Sequence, residues 1–205
     1  KPKKALLLAP TFSEYEKALS AAGCEINFYA LKEENDFALG DDYINVLEGG
    51  YDIVFLCSPN NPTGGELSEQ CLLEIVTRCK RLGILPVIDM SFADFSENTV
   101  SANVLAEAGA AVIKAFTKIY AMPALRLGYM LCCDEELLGK VSLAGQSWSV
   151  NSLAQAAGAA ALDDSDFIGR TVEYISRERR FLTEKFGAMG IKTYPAAANF
   201  ILLKS

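Results

Sequence analysis

Four short stretches occur along this chain in one order: Asn61-Pro62-Thr63-Gly64, then Asp89, then Thr117-Lys118, then Arg126. Each carries a different chemistry. A lysine amine adds to a carbonyl carbon and forms a Schiff base. A carboxylate such as Asp89, at the end of the apolar run Ile84-Leu85-Pro86-Val87-Ile88, is costly there unless paired, and a protonated ring nitrogen would pair it. An arginine fork matches the oxygens of a phosphate, and an asparagine amide donates to a ring oxygen. A carbonyl, a pyridine nitrogen, a phosphate and a ring hydroxyl are together the functional groups of pyridoxal phosphate (PLP), which draws electrons from a substrate's α carbon into its ring. The chain has no histidine, which removes the commonest general base and leaves a lysine as the candidate for proton work.

Each of these residues also has an ordinary reading. Ser58-Pro59-Asn60-Asn61-Pro62-Thr63-Gly64-Gly65 is a tight polar turn in any protein, because Asn, Pro and Gly punctuate loops; a cis bond at Pro62 would fix Asn61 toward a ligand. Asp89 serves equally as a helix cap or a salt-bridge partner. Most lysines are solvated, yet Lys118 lies between Ala115-Phe116-Thr117 and Ile119-Tyr120-Ala121-Met122-Pro123, which are almost uncharged. That setting predicts a desolvated, more nucleophilic amine. Arg126, inside Leu125-Arg126-Leu127-Gly128-Tyr129, is predicted to be buried and therefore to want an anion.

The elements that must position these groups follow from hydrophobic periodicity. Short apolar runs predict strands over Ala5–Ala9, Cys24–Tyr29, Ile53–Cys57, Leu85–Asp89, Ala111–Ala115, Gly128–Cys132 and, finally, Asn199–Leu203. Helical periods predict helices over Ser13–Ala22, Asp42–Leu47, Ser68–Leu82, Asp134–Val141, Ser149–Leu162 and Asp166–Met189, with Ser68 and Asp134 as caps and Gly23 and Gly83 as stops. The alternation predicts an α/β fold, a mostly parallel central sheet with helices on both faces. Asn61, Asp89 and Lys118 all fall at C-terminal strand ends, the edge at which open α/β sheets bind ligands.

Composition bounds the rest. A length of 205 residues with 51% hydrophobic and 22% charged side chains suits one globular domain with a sizeable core. The net charge of -7 argues against nucleic acid or an anionic membrane as a partner. Six cysteines show no metal spacing and no CxxC pair, and read as buried free thiols of a reducing cytoplasm. Lys1-Pro2-Lys3-Lys4 followed by Ala5-Leu6-Leu7-Leu8-Ala9 mimics a signal peptide, but its apolar run is too short, and no run approaches transmembrane length. A soluble cytoplasmic protein is expected.

Taken together, the Asn-Pro-Thr-Gly turn, the strand aspartate, Thr117-Lys118 and Arg126-Leu127-Gly128 resemble the fold-type I PLP enzymes of the aspartate aminotransferase superfamily, from Pro10-Thr11-Phe12 through Ala198-Asn199-Phe200. Three stretches are most similar to the histidinol-phosphate aminotransferase branch, and within it to the L-threonine-O-3-phosphate decarboxylases of cobalamin synthesis. They are Asp89–Phe95, Thr117–Tyr129 and Trp148–Ala154. The resemblance implies that Lys118 attaches PLP covalently, that Asp89 pairs with the ring nitrogen, and that Asn61 bonds the ring hydroxyl. It implies that Thr117 and Arg126 hold the phosphate, that Phe12 stacks on one ring face, and that Ser91 supports the other. Ala115 departs from the family, which usually has a phosphate-binding hydroxyl there, and Phe92 stands where the aminotransferases of the branch usually have tyrosine. Trp148, which those aminotransferases lack, is also readable as core packing.

The implied function is PLP-dependent decarboxylation of a phosphorylated amino acid by a homodimer. The alternatives are amino transfer of the histidinol-phosphate type and a non-catalytic PLP-binding core. Residues 1–198 are expected to form the PLP-binding large domain and 199–205 to begin a C-terminal small domain. The resemblance places a glycine-containing phosphate loop before Pro10 and a carboxylate-binding arginine in that small domain. These 205 residues alone are accordingly expected to hold PLP loosely and to turn over little.

Overall fold

Apolar residues run almost unbroken along three central strands, as burial on both faces requires. The computed structural model describes residues 1–98 and 100–204. Strands β1 (Lys4–Ala9), β2 (Glu25–Ala30), β3 (Ile53–Cys57), β4 (Leu85–Asp89), β5 (Ala111–Ala115) and β6 (Gly128–Leu131) form one sheet in the order β2-β1-β3-β4-β5-β6. All neighbours run parallel except β6, which returns antiparallel to β5. The expected α/β architecture is therefore present. Strand order reverses between β1 and β3, the switch point at which such sheets open a crevice.

Side-chain alternation divides the strands between two cores. Leu6, Leu8, Val54, Leu56 and Ile88 point to one face, while Ala5, Leu7, Ile53, Cys57 and Val87 point to the other. The first face is covered by helices α2 (Tyr43–Val46), α3 (Glu69–Leu82) and α4 (Ala102–Ala108). Helix α3 shows why it forms. Ser68 accepts a hydrogen bond from the Cys71 amide, and Leu72, Ile75, Val76 and Cys79 recur on one face. Gly83, at φ 70°, then receives the chain in a left-handed turn that keeps hydrogen bonds to the carbonyls of Cys79 and Lys80. Burying Leu72, Ile75 and Val76 contributes about 1.5–3 kcal/mol each. The second face is covered by α1 (Ser13–Ala21), through Tyr15 and Leu19, and by Leu137 of α6 (Glu135–Ala144). Helix α5 (Phe116–Ile119) is a single turn after β5, and α7 (Ser152–Asp163) precedes the long α8 (Phe167–Ala188).

Several boundaries move from the sequence expectation. Helix α7 starts at Ser152 rather than Ser149, because Trp148 takes a left-handed φ of 53° and Asn151 caps the helix by accepting from the Ala154 amide. Helix α6 continues past Val141 to Ala144. Helix α4, capped by Ser101, was not expected. The strand expected over 199–203 does not form at that length. Phe200 packs edge-on to Phe92 with ring centroids 5.1 Å apart, Arg179 donates to the Ala198 carbonyl, and only β8 (Leu203–Lys204) pairs, antiparallel to β7 (Lys192–Thr193). Among the described residues, no helix is long and apolar enough to cross a membrane.

Candidate functional site

The turn after β3 is built by one asparagine and presents the next. Asn60 is buried at 4% exposure; its amide donates to the Pro10 carbonyl (3.0 Å) and Thr63 Oγ1 (2.9 Å), and its oxygen accepts from Thr11 Oγ1 (2.9 Å). The backbone closes the same turn, with the Gly64 amide donating to the Asn60 carbonyl at 2.6 Å. Gly64 has φ 77°, and a Cβ there would lie 2.7 Å from that of Ala196, so the turn requires glycine. The peptide bonds before Pro10, Pro59 and Pro62 are cis. Asn61, half-buried, lines the cleft, and among the described residues its side chain makes no hydrogen bond.

Asp89 ends β4, paired in register with Cys57 of β3 and Ile113 of β5. Both of its oxygens are held. Oδ1 accepts from the Ser91 amide at 2.8 Å, and Oδ2 accepts from the Tyr15 hydroxyl at 2.6 Å. Tyr15 stacks on Phe55 (centroids 5.2 Å apart) and meets Phe12 edge-on at 5.6 Å. Burial first, then the neighbouring Cys57 and Asp89, push the Tyr15 phenol well up. Burial followed by Asp89 pushes the Cys57 thiol up to about 12. Both groups stay protonated at neutral pH and add no charge to the cleft.

Lys118 is the third residue of α5, and its amine lies 5.2 Å from the centroid of the Phe92 ring. Among the described residues it has no ion-pair partner. Lys114, one helical turn's worth of residues earlier on β5, is tied instead to Asp94 at 2.5 Å. The expectation that Lys118 is desolvated does not hold: the side chain is exposed, because Phe116 and Ile119 take the inward positions of the single-turn helix. The expected burial of Arg126 does not hold either. It is exposed, with φ 57°, and its Nη1 donates to the Pro123 carbonyl at 2.9 Å. Local apolar neighbours do not bury it, since the chain reverses there into the edge strand β6.

A small cleft of about 60 Å³ at the C-terminal sheet edge is lined by Phe12, Tyr15, Cys57, Asn61, Asp89, Ser91, Phe92 and Lys118. Of the residues singled out in the sequence, Phe12, Asn61, Asp89, Ser91 and Lys118 meet there; Thr117, which is half-buried, and the exposed Arg126 do not line it. Sequence reasoning missed Tyr15 and Cys57. Tyr15 had a signal: it lies one helical turn after Phe12 on the face shared with Leu19, and a buried tyrosine hydroxyl needs an acceptor. A larger cavity, about 400 Å³, lies across the Asn60 turn, but its lining has the carboxylates of Asp36 and Glu66 and no lysine or arginine. It therefore offers a phosphate no cationic partner.

The chain's similarity to known proteins agrees with this arrangement. The family model described as aminotransferase class I and II matches residues 1–205. Threonine-phosphate decarboxylase of Salmonella typhimurium is 37% identical over 208 residues, covering 100% of this chain and 57% of that protein. Histidinol-phosphate aminotransferase of Methanococcoides burtonii is 31% identical over 199 residues, covering 97% of this chain and 53% of that protein. The crystal structure of the histidinol-phosphate aminotransferase from Clostridium acetobutylicum superimposes with a TM-score of 0.91 at 25% identity, over 99% of this chain and 62% of that one. The chain thus spans little more than half the length of the curated relatives it matches. With the sheet, the cleft and the full-length family match in agreement, the chain belongs to the class I and II aminotransferase family, whose cofactor is pyridoxal phosphate.

Proposed function

We propose that this chain is the cofactor-binding part of a PLP enzyme that acts on a phosphorylated amino acid, as a decarboxylase of the threonine-phosphate type in cobalamin biosynthesis. The observation that carries the reading is the convergence, in one cleft, of an amine without an ion partner (Lys118), a carboxylate fixed by two donors (Asp89) and a side-chain amide without a hydrogen bond (Asn61). These groups fit the ring end of PLP. Asp89 would hold the ring nitrogen protonated, Asn61 would donate to the ring oxygen, and Lys118 would attach to the carbonyl carbon. Phe12 and Ser91 would bound the two ring faces. For the phosphate end, Thr117 and Arg126 are the candidates, and Arg126 would exchange the Pro123 carbonyl for phosphate oxygens.

Bound PLP supplies the sink that stabilises negative charge developing at a substrate's α carbon. The chain's own part is to hold and move protons. In decarboxylation, the Lys118 ammonium delivers a proton to the α carbon at the position that the carboxylate has left. In amino transfer, the neutral Lys118 amine removes the α proton instead. Likeness to the Salmonella decarboxylase at 37% identity, against 31% to the archaeal aminotransferase, supports the first. Incubation of the full-length enzyme with threonine phosphate, with CO2 release followed against glutamate-dependent amino transfer, tests the choice. Amino transfer without CO2 would reverse the assignment.

The proposed division keeps 1–198 as the PLP-binding large domain and 199–205 as the start of a small domain. A homodimer is proposed from the exposed apolar side chains around α6 and α7, Leu143, Trp148, Leu153 and Leu162. Sedimentation equilibrium checks it, a monomer at assay concentration being the contrary result. Six free cysteines suit a cytoplasmic setting.

A further inference from the structure

We propose that Tyr15 is a positioning residue for the cofactor, acting through Asp89; the inference rests on the ring-nitrogen role proposed for Asp89 above. The carboxylate is gripped from two elements. Its Oδ1 takes the Ser91 amide at 2.8 Å, and its Oδ2 takes the Tyr15 hydroxyl at 2.6 Å. Two donors on different oxygens fix both the place and the plane of a carboxylate, whereas one leaves it free to swing about its Cβ–Cγ bond. The Tyr15 ring is itself immobilised. It is 7% exposed, stacked on Phe55 with an interplanar angle of 26°, and met by Phe12 at 81°. One phenol thus ties the aromatic at the cleft mouth to the carboxylate at its floor, and α1 to β4 across the sheet edge. Because the phenol stays protonated, it acts only as a donor toward Asp89, leaving the remaining carboxylate lone pairs directed at the cleft.

Tyr15→Phe removes the hydroxyl and keeps both ring contacts, so it separates positioning from packing. PLP affinity is measured for the parent, Tyr15→Phe, Asp89→Ala and the double variant, by titrating the visible imine absorbance. A hydrogen bond to a charged group is typically strong enough that its loss should weaken PLP binding by about tenfold or more. The same substitution in the Asp89→Ala background should change affinity by less than about twofold, because its route to the cofactor is gone. A PLP analogue with carbon in place of the ring nitrogen should likewise bind the parent and Tyr15→Phe equally. Parent-like affinity for Tyr15→Phe, or the same penalty with and without Asp89, would overturn the inference while leaving the role of Asp89 intact. If Asp89→Ala itself binds PLP like the parent, the proposed role of Asp89 fails and takes this inference with it, an outcome distinct from the other two.

Discussion

Replacing Asn60 and Asn61 separately should have opposite consequences, although the two residues are adjacent and chemically identical. Asn60→Ala removes three hydrogen bonds at a site 4% exposed: those to the Pro10 carbonyl and Thr63 Oγ1, and that from Thr11 Oγ1. At about 1 kcal/mol net for each bond, the loss is about 3 kcal/mol. For a chain of this length, that lowers the melting temperature by roughly 6–12 °C. Asn61→Ala breaks no hydrogen bond among the described residues, so its stability should stay within about 0.5 kcal/mol of the parent. It should nevertheless weaken PLP binding by about tenfold, the value of one donor to the ring oxygen. Thermal and urea unfolding read the first effect, and titration of the imine absorbance reads the second. Equal destabilisation by the two substitutions, or a parent-like melting temperature for Asn60→Ala, would refute the division of labour in this turn.

Other outcomes follow from the same geometry. Borohydride reduction after PLP addition should label Lys118, and Lys118→Ala should abolish the label; label on Lys114, or an adduct that survives Lys118→Ala, would contradict the assignment. Asp89→Ala should fold yet bind PLP at least about a hundredfold more weakly, since removing one member of a buried charge pair costs about 3–5 kcal/mol; parent-like PLP affinity would count against it. The Cys57 and Cys79 thiols are both pushed up from 9.0 to about 12, chiefly by burial. Because their folded values exceed the unfolded ones, their share of stability is complete below about pH 9 and is lost as pH rises toward about 12. Urea midpoints should fall across that window, and less steeply in a Cys57→Ala/Cys79→Ala variant. Gly64→Ala should cost more than Gly83→Ala in urea unfolding, because both have positive φ but only the first meets another side chain, 2.7 Å away at Ala196; the reverse order would show that backbone strain outweighs the clash.

Much of the scaffold was legible because local pattern and global burial agree in it. The runs Ile53–Cys57, Leu85–Asp89 and Ala111–Ala115 are mostly apolar and pack between helical layers, so periodicity placed all three. Ser68 and Asp134 announced their helices because the capping bond is made within the same turn. The failures lie where the partner is remote. Asn199–Leu203 has strand composition, but a strand needs a neighbour, and β7 offers only Lys192 and Thr193. Asp89 and Lys118 stood out as charged residues set against apolar surroundings, and Asn61 stood out through the Asn61-Pro62-Thr63-Gly64 turn. The partner of Tyr15 was not legible, because the acceptor stands 74 residues away and is adjacent only in the folded sheet. Exposure of Lys118 and Arg126 was misread for one reason: apolar neighbours in sequence do not bury a residue at a turn, where successive side chains point in different directions.

The same logic explains how the fold selects a single amine and a single amide from near-duplicates. Lys114 and Lys118 lie on either side of the transition from β5 to α5. On the strand, Lys114 is directed to Asp94 and its side chain is only 13% exposed, so an ammonium held there is neutralised by its ion partner. The change to helix at Phe116 turns the next lysine toward Phe92, where the ring face attracts a cation without the proton-locking hydrogen bonds of a carboxylate. Lys118 therefore reaches the cleft without a carboxylate partner among the described residues, whereas Lys114 does not. In the turn after β3, both side-chain donors of Asn60 and its oxygen bond to the scaffold, whereas the Asn61 side chain makes no hydrogen bond among the described residues and faces the cleft. The difference within each pair thus comes from how the surrounding structure satisfies or leaves unsatisfied otherwise identical side chains. Asn60 holds the turn that presents Asn61, so substitutions at Asn60 should reach the cofactor through stability and those at Asn61 through contact.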